Sequence, residues 1–133
     1  MRSFAIAWAV RRIHAILLVE DDRELHGAMR AILEAEGYRV IGAFDGEEAI
    51  TRLREGARPS VIVLDLMLPR KDGLQFRAEQ LADPGLAEIP VIAYSGDAHL
   101  SEAARTLRVR HWFQKPIDFG AMLEAISVYC PES

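Results

Sequence analysis

Five side chains that could carry metal or phosphate chemistry each come directly after a short apolar run of the chain. Glu20 and Asp21 follow the first such run, and Asp65 follows the run that ends at residue 64. Ser95 and Lys115 follow two later runs. If the runs are parallel strands, their carboxyl ends meet at one edge of a sheet, where open α/β proteins bind ligands. We therefore expect three carboxylates, a hydroxyl and an ammonium group to converge at that edge.

The chemistry that such a cluster supports is phosphoryl transfer assisted by a hard cation. Clustered carboxylates repel one another unless they share a proton or hold a cation. Oxygen ligands without histidine or cysteine suit Mg²⁺ better than Zn²⁺, and Mg²⁺ shares its coordination shell with phosphate. Lys115 would supply a positive charge for one phosphoryl oxygen, and Ser95 would donate a hydrogen bond to another. Asp65 is placed to attack phosphorus and form an acyl phosphate.

The elements that must position these residues are predicted by an alternation of apolar runs with helical patterns. The first run, Ala15–Val19, is continuously apolar, as expected for a parallel strand buried on both faces. Four more strands are predicted at residues 39–43, 60–64, 91–94 and 109–114. Five helices are predicted as well: the first ends at Gly37, the second ends at Gly56, the third lies near residues 74–81, the fourth lies at 98–107, and the fifth follows Asp118. Five strand–helix pairs predict an α/β domain with a doubly wound, five-stranded parallel sheet, because a barrel would need eight. The pattern leaves the strand order open.

The composition bounds the size and class of the protein. The chain has 133 residues, enough for one domain, and its 50% hydrophobic and 27% charged residues are a globular balance. A net charge of -4 argues against direct binding to nucleic acid. The longest apolar run, residues 4–10, is too short to cross a membrane. The single cysteine, Cys130, excludes an internal disulfide and favours a cytoplasmic, reducing location.

Four segments at the ends of predicted strands together resemble the receiver domains of two-component response regulators. They are Ile16–Asp21, Val61–Pro69 with Asp72-Gly73, Ala93–Ser95 and Phe113–Pro116. The similarity covers about residues 14–129. It implies a flavodoxin-like sheet with strand order 2-1-3-4-5, as in the chemotaxis receiver. On this basis the chain divides into an N-terminal extension (residues 1–13), a receiver domain (14–130) and a tail (131–133).

The resemblance implies a role for each acidic residue of the cluster. Asp65 is similar to the aspartate that accepts a phosphoryl group from a histidine kinase or a histidine phosphotransfer domain. Glu20 and Asp21 resemble the acidic pair that binds Mg²⁺, with Asp65 and the backbone carbonyl of Met67 as further ligands. Glu20 stands where the family more often has aspartate. Met67 and Asp97 occupy the positions that flank the attacking water, so the apolar Met67 implies a long-lived phosphoryl group.

The resemblance also implies a switch next to the acceptor. Ser95 is similar to the hydroxyl residue that swings to meet the new phosphoryl group, and Lys115 to the lysine that contacts it. The peptide bond between Lys115 and Pro116 is similar to the cis peptide of the family. Trp112 occupies the place of the switch aromatic, whose rotamer follows Ser95. The preceding residues, from Arg108 onwards, are basic where the family usually has Gly-Ala.

The function expected from the resemblance is that of a signalling switch. Phosphorylation would change the face formed by the fourth helix, the fifth strand and the fifth helix, which would then bind a downstream protein. Because the chain ends near its fifth helix, we expect a stand-alone receiver without a DNA-binding effector. Such a domain catalyses only its own phosphorylation and dephosphorylation and is not classed as an enzyme.

Two other functions stay open at this point. A degenerate receiver would be an interaction module that is never phosphorylated, although the complete set of five charged and hydroxyl residues argues against it. An aspartyl-phosphate phosphatase would need a second acid two residues after the nucleophile, where Met67 stands. The histidines show no metal-binding spacing and are expected at the surface; they are His14, His26, His99 and His111.

Overall fold

One sheet of five parallel strands forms the centre of the computed structural model, which describes residues 13–97, 102 and 105–131. The strands are β1 (Ala15–Val19), β2 (Arg39–Ala43), β3 (Val61–Asp65), β4 (Val91–Ser95) and β5 (His111–Gln114). Their order is β2-β1-β3-β4-β5, and each neighbouring pair is parallel. The doubly wound α/β class and the strand order are therefore confirmed.

Four helices have defined bounds in the part of the chain that the structure describes, one fewer than the sequence predicts. They are α1 (Arg23–Ala35), α2 (Gly46–Arg54), α3 (Gly73–Ala82) and α4 (Phe119–Tyr129), the last being the fifth predicted helix. The helix predicted at 98–107 falls mostly outside the described residues, although Glu102, Arg105 and Thr106 are helical. Residues 96–110 are called the β4–β5 connection below. Residues 1–12 and 132–133 of the predicted extension and tail, and His99, also lie outside the described residues.

The three central strands, β1, β3 and β4, are buried on both faces of the sheet. Every residue of β3 and β4 is buried, and only Ala15 of β1 is partly exposed. The edge strand β5 contains no fully buried residue and begins at His111 rather than at residue 109 as predicted. Burial on both faces explains why the central strands are continuously apolar in sequence, whereas the boundary of β5 is harder to locate.

Helices cover both faces of the sheet, and each face has its own hydrophobic cluster. Side chains alternate between the two faces along each strand. On one face, strand side chains pack against Leu53 of α2 and Phe76 of α3, and this group is called the α2–α3 cluster. On the other face, strand side chains pack against Met29 of α1 and Ile126 of α4, and this group is called the α1–α4 cluster. None of the helices in the described part of the chain combines the length and the apolar composition that crossing a bilayer requires.

Each of the four helices begins at an aspartate that caps its N-terminus. Asp22, Asp45, Asp72 and Asp118 accept hydrogen bonds from backbone N–H groups in the first turns of α1, α2, α3 and α4. A cap of this kind contributes about 1 kcal/mol to stability. Because α1 and α3 follow the carboxyl ends of β1 and β3, their caps also fix the loops that lead away from the predicted site.

The histidines are less exposed than the sequence predicts, and that prediction is wrong for two of them. His14 and His26 are buried, and His111 is half-buried. The ring of His14 lies 2.7 Å from the hydroxyl of Ser60, and Nδ1 of His26 lies 3.0 Å from the carbonyl oxygen of Glu20. Both ring nitrogens of His14 have partners, since Nε2 lies 2.9 Å from the carbonyl oxygen of Pro131, whereas Nε2 of His26 has no hydrogen-bond partner among the described residues.

Candidate functional site

The carboxyl ends of the strands bring the predicted site residues to one edge of the sheet. Asp65 is the last residue of β3, and Ser95 is the last residue of β4. Glu20 directly follows β1, and Lys115 directly follows β5. Because all these strands run in the same direction, the four residues lie at the same edge.

Three carboxylates form the acidic part of the site. Oxygen atoms of Glu20, Asp21 and Asp65 all lie within 4.8 Å of one another. Glu20 and Asp65 are buried, whereas Asp21 is exposed to solvent. The potential ligands are oxygen atoms, the kind that Mg²⁺ prefers, and the exposed Asp21 leaves a side open to water and phosphate. The three residues therefore fit the cation that the resemblance implies.

The ammonium group of Lys115 lies between two of these carboxylates. Its Nζ atom is 3.1 Å from Oδ2 of Asp65 and 3.7 Å from Oε1 of Glu20. The side chain is 32% exposed, so the ammonium group reaches the buried carboxylates from the surface. One ammonium group neutralises only part of the charge of three carboxylates, and the remaining negative charge suits a divalent cation.

Burial and repulsion set the protonation of the site. Burial raises the pKa of Glu20 and of Asp65, and the hydrogen bonds that the two carboxylates accept only partly offset the rise. Asp65 raises the pKa of Glu20 further, and Asp21 does the same for Asp65. Partial burial would lower the pKa of Lys115, but its hydrogen bond and charge interaction with Asp65 raise it on balance. Lys115 therefore stays positively charged, and a bound cation would reduce the repulsion between the carboxylates.

Backbone contacts hold Asp65 and the loop that follows β3. Oδ1 of Asp65 accepts a hydrogen bond from the N–H of Met67 at 2.9 Å. The N–H of Leu66 donates to the carbonyl of Tyr94, and the N–H of Gly73 donates to the carbonyl of Leu66. A Cβ atom on Gly73 would lie 2.5 Å from Cα of Leu66, so α3 and this loop approach each other as closely as glycine permits. The Asp65 carboxylate is thus fixed by its own strand and by its neighbours.

Tyr94 is a residue of the site that is not among the residues predicted from the sequence. Its hydroxyl donates a hydrogen bond to Oε1 of Glu20 at 2.8 Å, and the N–H of Asp22 donates to Oε2 at 2.9 Å. The tyrosine lies within the buried strand β4, one residue before Ser95. The only signal for it in the sequence is a hydroxyl-bearing side chain in an otherwise apolar run.

The predicted switch residues lie on and next to β4 and β5. Ser95 is fully buried, and its Oγ atom accepts a hydrogen bond from the N–H of Asp97 at 3.0 Å. The N–H of Lys115 donates to the carbonyl of Ser95, and the bond between Lys115 and Pro116 is a cis peptide. Trp112, on β5, packs against the α2–α3 cluster. Ser95 and Lys115 are therefore joined through the backbone, but no hydrogen bond of the described residues joins Trp112 to Ser95.

Comparisons with known proteins identify the family of the chain. The family model of the response regulator receiver domain matches residues 16–127. The transcriptional regulatory protein PdtaR of Mycobacterium tuberculosis is 30% identical over 114 residues, which are 85% of this chain and 55% of PdtaR. The polar-differentiation response regulator DivK of Brucella anthropi is 32% identical over 117 residues, which are 86% of this chain and 94% of DivK. The chain thus spans about half the length of PdtaR and nearly all of DivK.

Solved structures show the same fold. A response regulator receiver protein from Pseudomonas putida matches with a TM-score of 0.82 at 26% identity, covering 90% of this chain and 99% of that protein. The phosphorylated cyanobacterial phytochrome response regulator RcpA matches with a TM-score of 0.78 at 28% identity, covering 90% of this chain and 94% of RcpA. By its sequence and its fold, the chain belongs to the receiver domains of two-component response regulators.

Proposed function

We propose that this receiver domain takes a phosphoryl group from a histidine kinase or a histidine phosphotransfer domain onto Asp65. The observation that supports this most strongly is the setting of the Asp65 carboxylate. One of its oxygen atoms lies within 4.8 Å of an oxygen atom of Glu20 and of Asp21, and Oδ2 lies 3.1 Å from the ammonium group of Lys115. A carboxylate nucleophile, an acidic cation site and a positive charge are the groups that this phosphoryl transfer needs.

The transfer forms one bond to phosphorus and breaks another. A carboxylate oxygen of Asp65 attacks the phosphorus atom of a phosphohistidine, and the P–N bond breaks with its electron pair going to the histidine nitrogen. The product is an acyl phosphate on Asp65. Lys115 binds a phosphoryl oxygen and neutralises part of its charge. Water later attacks the phosphorus atom, releases inorganic phosphate and restores the carboxylate.

Mg²⁺ is the cation that we propose for the acidic part of the site. The carboxylates of Glu20, Asp21 and Asp65 and the backbone carbonyl of Met67 would hold it. When bound, it supplies charge that stabilises the phosphoryl oxygens during transfer. Asp21 is the exposed member of the set and would complete the site on its solvent side.

Phosphorylation is expected to draw Ser95 and Lys115 toward the acceptor. A phosphoryl group adds nearly two negative charges and three strong hydrogen-bond acceptors. The Ser95 hydroxyl donates only a long contact, 3.5 Å, to the carbonyl of Asp97 among the described residues, so its proton is available to a phosphoryl oxygen. With Trp112 following Ser95, these movements would rearrange the β4–β5 connection.

The proposed output is a contact with a downstream protein through the β4–β5 connection, β5 and α4. The half-buried edge strand β5, which precedes Lys115, supports this choice of surface. We propose residues 14–130 as the signalling unit, between the extension 1–13 and the tail 131–133. The net charge of -4 favours a protein target over nucleic acid, and the unpaired thiol of Cys130 is compatible with a cytoplasmic location. The domain acts as a signalling module that processes only its own phosphoryl group.

Two alternatives make different predictions. A degenerate receiver would keep the fold but would not bind a phosphoryl group. A phosphatase on the same sheet would turn over small phosphate esters, and the apolar Met67 stands where its second acid is needed.

Beryllofluoride, a mimic of the phosphoryl group, separates these possibilities. Added together with Mg²⁺, it should shift the backbone NMR signals of Met67, Ser95 and Lys115, and Asp65→Asn should abolish the shifts. Absence of binding to the wild-type chain would favour the degenerate receiver. Steady turnover of para-nitrophenyl phosphate would favour the phosphatase.

A further inference from the structure

A tyrosine inside β4 contacts Glu20 and Lys115, two of the charged residues around Asp65. The hydroxyl of Tyr94 lies 2.8 Å from Oε1 of Glu20, and Nζ of Lys115 lies 5.5 Å from the centroid of the tyrosine ring. Tyr94 is also the register partner of Asp65 across β3 and β4. Because Tyr94 is fully buried, its hydroxyl and ring have a defined position relative to these neighbours.

Glu20 needs a fixed partner because its carboxylate is buried at the end of a flexible side chain. Ordering several rotatable bonds costs conformational entropy, and a buried carboxylate oxygen without a donor is costly as well. Two donors from different elements meet these requirements: the N–H of Asp22 bonds to Oε2, and the hydroxyl of Tyr94 bonds to Oε1. The carboxylate is thereby held within 4.8 Å of the oxygen atoms of Asp21 and Asp65.

The same hydroxyl limits a competing contact with Lys115. Nζ lies closer to Oδ2 of Asp65, at 3.1 Å, than to Oε1 of Glu20, at 3.7 Å. Without the tyrosine hydroxyl, Lys115 would be the remaining donor near Oε1 among the described contacts. The ammonium group would then be drawn toward Glu20. There it would occupy the space of a cation and neutralise the negative charge that attracts one. The Tyr94 hydroxyl therefore favours the position of Lys115 at Asp65 and of the Glu20 carboxylate next to those of Asp21 and Asp65.

We propose that Tyr94 is a positioning residue of the cation site, whose hydroxyl holds the carboxylate of Glu20 for Mg²⁺. The inference rests on the proposed function, because it requires Mg²⁺ to bind at Glu20, Asp21 and Asp65. Tyr94 touches neither the cation nor the phosphorus atom and acts through Glu20. Loss of a hydrogen bond that orients a metal ligand can weaken metal binding by about tenfold or more.

Titration of the full chain with Mg²⁺, followed by backbone NMR shifts, tests the proposal. The N–H groups of Met67 and Asp22 bond to Asp65 and Glu20, so their signals report on the site. We expect Tyr94→Phe to raise the Kd for Mg²⁺ about tenfold. Tyr129→Phe is the matched control, because it also removes a hydroxyl with a 2.8 Å hydrogen bond, in that case to His111. The control should leave the Kd unchanged.

A second background separates positioning from a general loosening of the fold. Glu20→Asp keeps the negative charge but withdraws the carboxylate by one methylene from the tyrosine hydroxyl. In that background, Tyr94→Phe should change the Kd by less than about twofold, because the contact through which it acts is already lost. An effect of equal size in both backgrounds would overturn the proposal. Urea unfolding without metal verifies that each variant is folded.

The remaining outcomes distinguish this inference from the function on which it rests. Equal Kd values for the folded wild-type and Tyr94→Phe proteins would overturn the role of Tyr94 and leave the proposed function intact. If the wild-type chain itself does not bind Mg²⁺, the proposed cation site fails, and the role of Tyr94 fails with it.

Discussion

In the proposed function, water that hydrolyses an acyl phosphate on Asp65 is expected to approach phosphorus beside Met67, whose apolar side chain is 54% exposed. A thioether cannot orient that water, whereas an amide can both donate and accept hydrogen bonds. We expect Met67→Asn to speed the loss of the phosphoryl group several-fold, measured as decay of the phosphorylated protein after removal of the donor. Val128→Asn is the control, since Val128 is 64% exposed on α4. An unchanged decay rate in Met67→Asn would contradict this role.

A second prediction at the residue scale concerns Asp45, which caps α2 and pairs with Arg70. Burial would raise the pKa of Asp45, but hydrogen bonds from the Glu48 N–H and the Arg70 guanidinium lower it on balance. A carboxyl group whose pKa is lowered by folding stabilises the fold at pH values above its ordinary pKa of 3.8. This contribution disappears as the pH falls through the pKa of the group in the folded protein.

The test is urea unfolding of Asp45→Asn across a range of pH. Asparagine still caps a helix, so the variant loses the ion pair but keeps the cap. We expect a loss of less than about 1 kcal/mol at neutral pH, because the arginine side chain is largely exposed, and a vanishing difference from wild type in acid. Asp118→Asn is the control for exchanging a capping carboxylate for an amide. A difference that grows in acid would contradict the assignment.

At the scale of elements, the close contact of α3 with the loop after β3 is expected to be essential. A Cβ atom on Gly73 would lie 2.5 Å from Cα of Leu66 and 2.6 Å from the carbonyl oxygen of Asp65, both backbone atoms. We expect Gly73→Ala to lower the free energy of unfolding by about 2 kcal/mol and to slow the proposed phosphorylation, because the loop beside Asp65 must move.

Thermal or urea unfolding, with the rate of phosphorylation, measures both effects. Gly27→Ala is the control, because a Cβ atom on Gly27 in α1 would meet nothing within 4 Å. This change should be neutral or stabilise by up to about 1 kcal/mol, since alanine favours a helix. A Gly73→Ala protein as stable and as active as wild type would show that the loop adapts freely.

The elements that the sequence predicts well are those whose environment is uniform. β1, β3 and β4 are buried on both faces, so their apolar runs leave little doubt about their position. β5 lies at an edge and mixes polar and apolar residues, so its predicted start at residue 109 is two residues too early. The N-terminal cap of α3 at Asp72 is likewise not predicted from the sequence.

Single residues of the site also differ in how well the sequence predicts their positions. Glu20, Asp65 and Lys115 can be predicted to converge because charged residues at the carboxyl ends of parallel strands lie at the same edge of the sheet. The contact between Tyr94 and Glu20 joins residues that are 74 positions apart and depends on side-chain direction, which no local pattern specifies. The burial of His26 likewise depends on a backbone carbonyl that only the folded chain presents.

At the scale of the whole molecule, the residues of the proposed chemistry and the hydrophobic clusters lie at different places on the sheet. The acidic residues, Ser95 and Lys115 gather at the carboxyl edge, and the two hydrophobic clusters lie on the faces. The bond between the Lys115 N–H and the Ser95 carbonyl joins this edge to the strands next to the β4–β5 connection. A change at Asp65 could thus alter the proposed output surface while the core stays packed.

Incubation of the full chain with Mg²⁺ and acetyl phosphate, followed by intact-mass and peptide mass spectrometry, tests the role of Asp65 most directly. We expect the mass of one phosphoryl group to be added, to map to Asp65 and to be absent from Asp65→Asn. A wild-type chain that gains no phosphoryl group, or an Asp65→Asn chain that gains it equally, would contradict Asp65 as the acceptor.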